Sequence, residues 1–294
     1  KMSPSRAVSE TFEPGSVGKV ISMSGYLQMG LHKMSDQLSV PDHITQEGQT
    51  YKDSFDHGTE RWTLAGILQN SSNVGMIMAG ENYPDEQRYE YLTKFGIGQP
   101  TGLNLPGESS GLLTNPSAWD LRTRNTILFG QGYTVNALQL NNVVATIANK
   151  GVKQQQSIIK STTDANGKTT ESKKGEATRV VDEKVASDMM NAMESVAEGY
   201  NKFVKVDGYR MAAKSGTAEV QGSDGTLSSI ISDYSVVIPA DNPRYAVTVV
   251  MKDPNGVFGG LTAGPVSAQI CEFLMQKYEV PVSGPRKNAI PVTW

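Results

Sequence analysis

Apolar positions follow a helical spacing through the first two thirds of the chain and cluster in β-branched runs in the last third. Val17, Val20, Ile21, Leu27 and Leu31 mark one face of a helix predicted over residues 17–31, opened by the breaker pair Pro14-Gly15. A polar stretch over 35–60 reads as a loop. Helical spacing resumes over 63–69, 74–79 and 84–95, the last ending at Gly96. Residues 98–115, rich in glycine, proline and polar side chains, predict an ordered loop, and 137–149 predict a helix closed by Lys150-Gly151. The polar tract 160–178 lacks any hydrophobic period and reads as an exposed hairpin tip or flexible loop. Over 182–198, Val185, Met189, Met190, Met193 and Val196 return to helical spacing, with the methionines as core filler.

Strands are predicted over 211–220, 234–238 and 244–251, the last two joined by Pro239-Ala240-Asp241-Asn242-Pro243 as an antiparallel hairpin. A helix over 265–278 closes the pattern. Helices, then an antiparallel sheet, then a final helix define an α+β fold in which helices flank the sheet. No fixed-period repeat is present.

Composition narrows the classes. The chain has 294 residues, 38% hydrophobic and 19% charged, enough for a sizeable core and ordinary for a globular protein. A formal charge of −3 supplies no basic field for nucleic acid. The single cysteine, Cys271, excludes an intrachain disulfide. His32, His43 and His57 match no metal-binding spacing and read as surface or loop residues. No run of 18 apolar residues is present to span a membrane.

Three short elements carry candidate chemistry. In Pro14-Gly15-Ser16-Val17-Gly18-Lys19, a serine and a lysine three apart at a helix start share one face, with the serine at the positive end of the helix dipole. A lysine becomes a useful base there only if burial or a second cation lowers its pKa. Alone, the pair is also compatible with an N-cap and a solvated lysine. A phosphate loop is excluded, because Glu13 stands where its first glycine belongs and Val20 where it has Ser or Thr. In Ser71-Ser72-Asn73 a hydroxyl two residues before a carboxamide can relay a proton and hold a substrate amide; a turn or cap is the plainer alternative. In Lys214-Ser215-Gly216-Thr217, on a predicted strand, Gly216 clears space for a ligand backbone beside a cation and two hydroxyls; alone this could equally be an edge strand. In this order the three form the Ser-x-x-Lys, Ser-x-Asn, Lys-x-Gly set of penicillin-binding proteins and class A β-lactamases.

With these residues the chain resembles the transpeptidase domain of class B penicillin-binding proteins, in the serine β-lactamase and penicillin-binding protein superfamily. Phe12 to Ser16, Asn70 to Val74, Phe95 to Gly98, Thr101 to Glu108, Gly130 to Tyr133, Leu138 to Leu140, Ala148 to Gly151 and Pro239 to Pro243 all carry the likeness, over residues 11 to about 280. The resemblance implies that Ser16 is the nucleophile toward the penultimate D-alanine of a peptidoglycan stem peptide and that Lys19 takes its proton. Ser71 would relay a proton to the leaving amine with help from Lys214, while Asn73 holds the substrate amide and Lys19. Ser215, Gly216 and Thr217 would receive the terminal carboxylate, and the backbone N–H groups of Ser16 and Thr217 would form the oxyanion hole. No cofactor or metal is called for. β-Lactam antibiotics are implied as acylating ligands, and a membrane glycosyltransferase as a partner through segments outside this chain. The expected location is the outer face of the bacterial cytoplasmic membrane.

Departures from the family pattern carry expectations of their own. Val17, Gly18 and Val20 replace residues usual around the lysine, and a glycine in the first helical turn predicts a looser nucleophile setting. Ser232-Asp233-Tyr234 replaces a small-Ser-Phe pattern in the pocket wall. Only 15 residues precede Ser16, so residues 1–294 read as a fragment, the transpeptidase domain without anchor or pedestal, its sheet incomplete on the N-terminal side and an edge open to association. A β-lactamase would need a deacylating Glu-x-x-Leu-Asn loop, which is absent. A D,D-carboxypeptidase, or a binding domain for β-lactam or wall peptide without turnover, remains the alternative.

Overall fold

A computed structural model describes residues 4–173, 175–221, 227–255 and 258–294. Its centre is an antiparallel sheet in the order Ala212–Gln221, Leu227–Ile238, Tyr245–Lys252. Among the described residues no fourth strand joins it. Side chains alternate across a strand, so the register Ala212↔Val237, Lys214↔Ser235, Gly216↔Asp233 sets one face of the sheet, and Ala213↔Val236 and Ser215↔Tyr234 set the other. The first face meets a large helical core that includes Val17, Val20, Leu68, Val144 and Met193. The second packs on the helix Gly259–Lys277 through Tyr234, Val236, Ala263, Cys271 and Met275. Helix, sheet, helix is therefore the layer order, and the predicted α+β class is the one observed.

Most predicted helices form near their expected bounds. Asp85–Phe95 ends at Gly96, whose φ of 100° only glycine adopts freely. Ala137–Ala148 opens with a reciprocal capping box between Asn136 and Gln139. In Glu183–Gly199, Met189 and Met193 are fully buried, as core filler should be.

Two expectations are corrected. The polar stretch 35–60 is not a loop: Gln37–Val40 pairs with Glu60–Thr63, and His43–Gln46 pairs with Gln49–Lys52. These strands bury only single alternate residues such as Val40, Tyr51 and Trp62, so their hydrophobic signal is faint. The Glu47-Gly48 turn, with both φ values positive, is the two-residue hairpin that joins the second pair. The final helix begins six residues before Pro265, at Gly259. Its opening Gly-Gly turn has no apolar period because it is pressed on both sides: a side chain at Gly259 would strike the Gly216 and Asp233 carbonyls of the sheet, and one at Gly260 the Tyr200 ring. The tract 160–178 takes the hairpin form of the two expected: Ser161–Thr163 pairs with Thr169–Glu171, exposed throughout, while Ala177–Arg179 pairs with Val152–Gln154; Lys174 lies outside the described residues. Residues 279–294 run back across the molecule, where Thr63 bonds to Pro291 and Val292 and Arg61 stacks on Trp294.

Candidate active site

The predicted nucleophile turn is a 3-10 helix, Gly15–Gly18, running directly into the helix Lys19–Gln28. Gly15 adopts φ 51° and its N–H donates to the Gly130 carbonyl at 3.0 Å. A Cβ there would sit 2.6 Å from the Thr217 carbonyl oxygen, so the turn is pressed onto the third element. Gly18 corrects the expectation of looseness. A Cβ at 18 would lie 2.6 Å from Gly130 Cα and collide with the Tyr133 hydroxyl, so this glycine exists for close packing and the turn is tightly held.

The side chain of Lys19 is entirely buried and ends among oxygens. Its Nζ lies 2.8 Å from Ser16 Oγ, 2.6 Å from the Ser71 carbonyl, 3.2 Å from Ser71 Oγ and 2.8 Å from Asn73 Oδ1. The Ser71 carbonyl and Asn73 Oδ1 can only accept, so a neutral amine gives them its two hydrogens and keeps its lone pair for the Ser16 hydroxyl. Burial, followed by the nearby Lys214 charge, holds the Lys19 pKa well below the usual lysine range, against a smaller opposing pull from Asp53.

Ser71 reaches this position with φ 56°, left-handed for a residue with a side chain. Such a conformation costs on the order of 1–3 kcal/mol and persists only where its surroundings enforce it. Here it lets the carbonyl and the hydroxyl of one residue both face Lys19. Asn73 begins the helix Asn73–Ala79, whose N-cap Ser72 accepts from Gly75 N–H at 2.8 Å. Asp53 adds a second cap, accepting from Asn73 N at 2.6 Å and Val74 N at 3.0 Å.

The third element lies on the strand Ala212–Gln221 and splits by sheet face. Lys214 points into the helical core, fully buried, and donates to Ser71 Oγ and the Ser215 carbonyl, both at 3.0 Å. Burial lowers its pKa to about 7, despite the counter-effect of Asp233. Ser215, on the other face, meets the Tyr200 hydroxyl at 3.1 Å. Gly216 leaves room for the Asp233 carboxyl and for the Pro14 carbonyl, which a Cβ would approach to 2.5 Å. Asp233 is wholly buried, has no hydrogen-bond partner among the described residues, and is pushed well above the carboxylate range by that burial. Thr217 Oγ1 accepts from Gly259 N at 3.2 Å, tying the strand to the final helix.

All eight sequence-selected residues therefore converge. Ser16, Ser71, Asn73, Ser215, Gly216 and Thr217 line one open cavity of about 970 Å³, with the two lysines buried at its base. Sequence reading missed Asp53, His57 and Tyr200 as parts of the site, and flagged Asp233 only as a departure in the pocket wall. Asp53 and His57 lie in the stretch taken for a loop, and Tyr200 is an aromatic among core aromatics; only Asp233, an acid inside a β-branched run, left a signal.

Residues 3–272 match the family model of the penicillin binding protein transpeptidase domain. The chain belongs to the penicillin-binding protein transpeptidase family. It is 35% identical over 271 residues to the peptidoglycan D,D-transpeptidase FtsI of Escherichia coli K12, a match covering 90% of this chain and 44% of that protein. A peptidoglycan synthetase from Bifidobacterium adolescentis superposes with a TM-score of 0.95 at 69% identity, over 99% of this chain and 53% of that one. Penicillin binding protein 3 of Mycobacterium tuberculosis, solved in complex with ampicillin, gives a TM-score of 0.90 at 32% identity, over 98% and 67%. This transpeptidase chain spans less than half the length of the curated relatives it matches. The class B resemblance and the fold it implies agree with these relatives.

Proposed function

We propose that the chain is a serine D-alanyl-D-alanine transpeptidase that cross-links peptidoglycan stem peptides and is acylated by β-lactams. The observation that carries this is Lys19 Nζ, 2.8 Å from Ser16 Oγ, with two obligate acceptors, the Ser71 carbonyl and Asn73 Oδ1, beside it and the Ser71 hydroxyl at 3.2 Å. Lys19 takes the Ser16 proton as Oγ attacks the carbonyl carbon of the penultimate D-alanine. The Ser16 and Thr217 N–H groups receive the oxyanion. Ser71, between the two lysines, passes a proton to the leaving nitrogen, with Lys214 as the ammonium behind it; the C–N bond breaks and D-alanine departs. Ser215 and Thr217 hold the terminal carboxylate, and Asn73 the substrate amide. An amine of a second strand then attacks the ester, forms the cross-link and returns the proton to Ser16. A β-lactam follows the first half of this path and stays as the ester. The substrate places the domain outside the cytoplasmic membrane, and in the whole protein a membrane glycosyltransferase supplies the glycan strand.

Labelling with a fluorescent penicillin, followed by peptide mass spectrometry of wild type and Ser16→Ala, tests the proposal. A stable adduct on the Ser16 peptide, absent from the variant, is expected. An adduct on another residue, rapid loss of the label, or no label on folded protein would overturn it.

A further inference from the structure

His57 lies in the loop after the strand Gln49–Lys52, yet its side chain is only 6% exposed. It is packed between the rings of Phe55 and Trp62, each with its centroid 5.0 Å away. Both ring nitrogens face acceptors: Nδ1 lies 2.6 Å from the Gly58 carbonyl and Nε2 lies 3.0 Å from Asp53 Oδ2. A neutral imidazole has one N–H and would turn its lone pair on one of these oxygens. The imidazolium satisfies both. The other oxygen of Asp53, Oδ1, is the one that caps Asn73 and Val74. A continuous path thus runs from the ring through Asp53 to the helix turn that carries Asn73, and from Asn73 Oδ1 to Lys19.

We propose that His57, as the imidazolium, is a positioning residue that holds Asp53 on the helix N-terminus and thereby fixes Asn73 against Lys19. The proposal rests on the acyl-transfer reading of the site for its consequence in rate, though not for its geometry. Burial opposes the charged ring, but the Asp53 hydrogen bond, the Gly58 carbonyl and the charges of Asp53 and Asp42 outweigh it and raise the His57 pKa. Asp53 and Asp42 are the charged groups acting on the ring; Phe55 and Trp62 bring none, and Lys19 is on the far side of Asp53. The sign follows. With a folded pKa above the ordinary ~6.5, the cation's contribution is complete below that value and is lost as pH rises through the folded one.

The test is an NMR titration of the intact chain, with the His57 ring assigned in wild type from its contacts with the Phe55 and Trp62 rings. The amides of Asn73 and Val74 should shift with the same midpoint as the His57 ring, above ~6.5. Penicillin acylation is measured in parallel on wild type and His57→Gln. The ratio of wild-type to variant rate isolates what depends on His57; it should be roughly tenfold at pH 6, the scale of one charge-assisted hydrogen bond, and fall toward unity above the His57 midpoint. Amides that do not follow the ring, or a ratio independent of pH, would overturn the proposal. If wild type is not acylated at all, the acyl-transfer reading fails, and the amide titration still decides the role of His57. If His57→Gln does not fold, the wild-type ring and amide midpoints decide it alone.

Discussion

Lys19 and Lys214 stand at opposite ends of one hydroxyl. Ser71 Oγ lies 3.2 Å from the first amine and 3.0 Å from the second, and both side chains are fully buried. Burial lowers both pKa values, but the surroundings differ. On the helical side, Lys19 meets two obligate acceptors and the Ser16 hydroxyl, with the charge of Lys214 pressing it further toward neutrality. On the strand side, Lys214 has one carbonyl, the shared Ser71 hydroxyl and a buried acid in Asp233 that pulls the other way. Equal burial therefore leaves one lysine suited to take a proton and the other poised near neutral pH to hold one. Two groups whose environments push them to different tasks are what an acyl transfer with a leaving amine requires.

The comparison is tested most severely at Lys19. Lys19→Met keeps most of the volume in a packed site while deleting the base, so the fold should persist. Its second-order rate of penicillin acylation should fall about a thousandfold or more, the upper part of the range for general-base catalysis. A loss of less than tenfold in stopped-flow labelling would move the base elsewhere, with Lys214 through Ser71 as the remaining candidate.

At Lys214 the expected loss is smaller and the pH dependence more telling. Lys214→Arg keeps the cation but places its donors differently, and acylation at neutral pH should fall about a hundredfold. In wild type the alkaline limb of acylation should follow Lys214 near its pKa of about 7. The arginine variant should lack that limb. Stability carries the complementary sign. Between about 7 and the ordinary lysine value the unfolded chain holds a proton at Lys214 that the folded chain has shed, so this group makes stability rise with pH across that window. Urea titrations from pH 7 to 10 should show that slope in wild type and a shallower one in Lys214→Arg, where only the lowered pKa of Lys19 still contributes. An unchanged slope would mean that the lysine is not titrating there.

How these lysines were legible in the sequence, and their neighbours were not, has a physical basis. Ser16-x-x-Lys19 and Ser71-x-Asn73 are local: one helical turn relates the first pair, and a left-handed residue just before a helix start brings the second together, so both lie within a few residues of sequence. The strand carrying Lys214 was equally readable, because a period of two assigns Lys214 and Ser215 to opposite faces. The α+β class followed from the same two periods. What supports the site is non-local. Asp53 caps a helix from 20 residues away, and His57 then braces Asp53. Both sit in the loop between the strands Gln49–Lys52 and Glu60–Thr63, where too little apolar surface is buried to leave a pattern. Gly18 misled for a related cause. Helix propensity is a property of the residue in isolation, whereas the Gly130 backbone and the Tyr133 hydroxyl are what demand a glycine there.

The smallest effect sharpens the strand side of the comparison. Tyr200 follows the helix Glu183–Gly199 and stands edge-on to Tyr234, with ring centroids 6.0 Å apart. Its hydroxyl meets Ser215 Oγ at 3.1 Å across the wall of the cavity. Ser215 and Lys214 are chain neighbours on opposite faces of the sheet, so removing the Tyr200 hydroxyl should disturb ligand seating without touching either amine. One such hydrogen bond contributes about 1 kcal/mol, so Tyr200→Phe should weaken acylation roughly fivefold. The loss should fall in the apparent binding constant for penicillin rather than in the limiting acylation rate, with the pH profile unmoved. A change in the limiting rate or in the profile would mean that Tyr200 communicates with the lysines through the strand, and that the two faces of the sheet are not energetically separate.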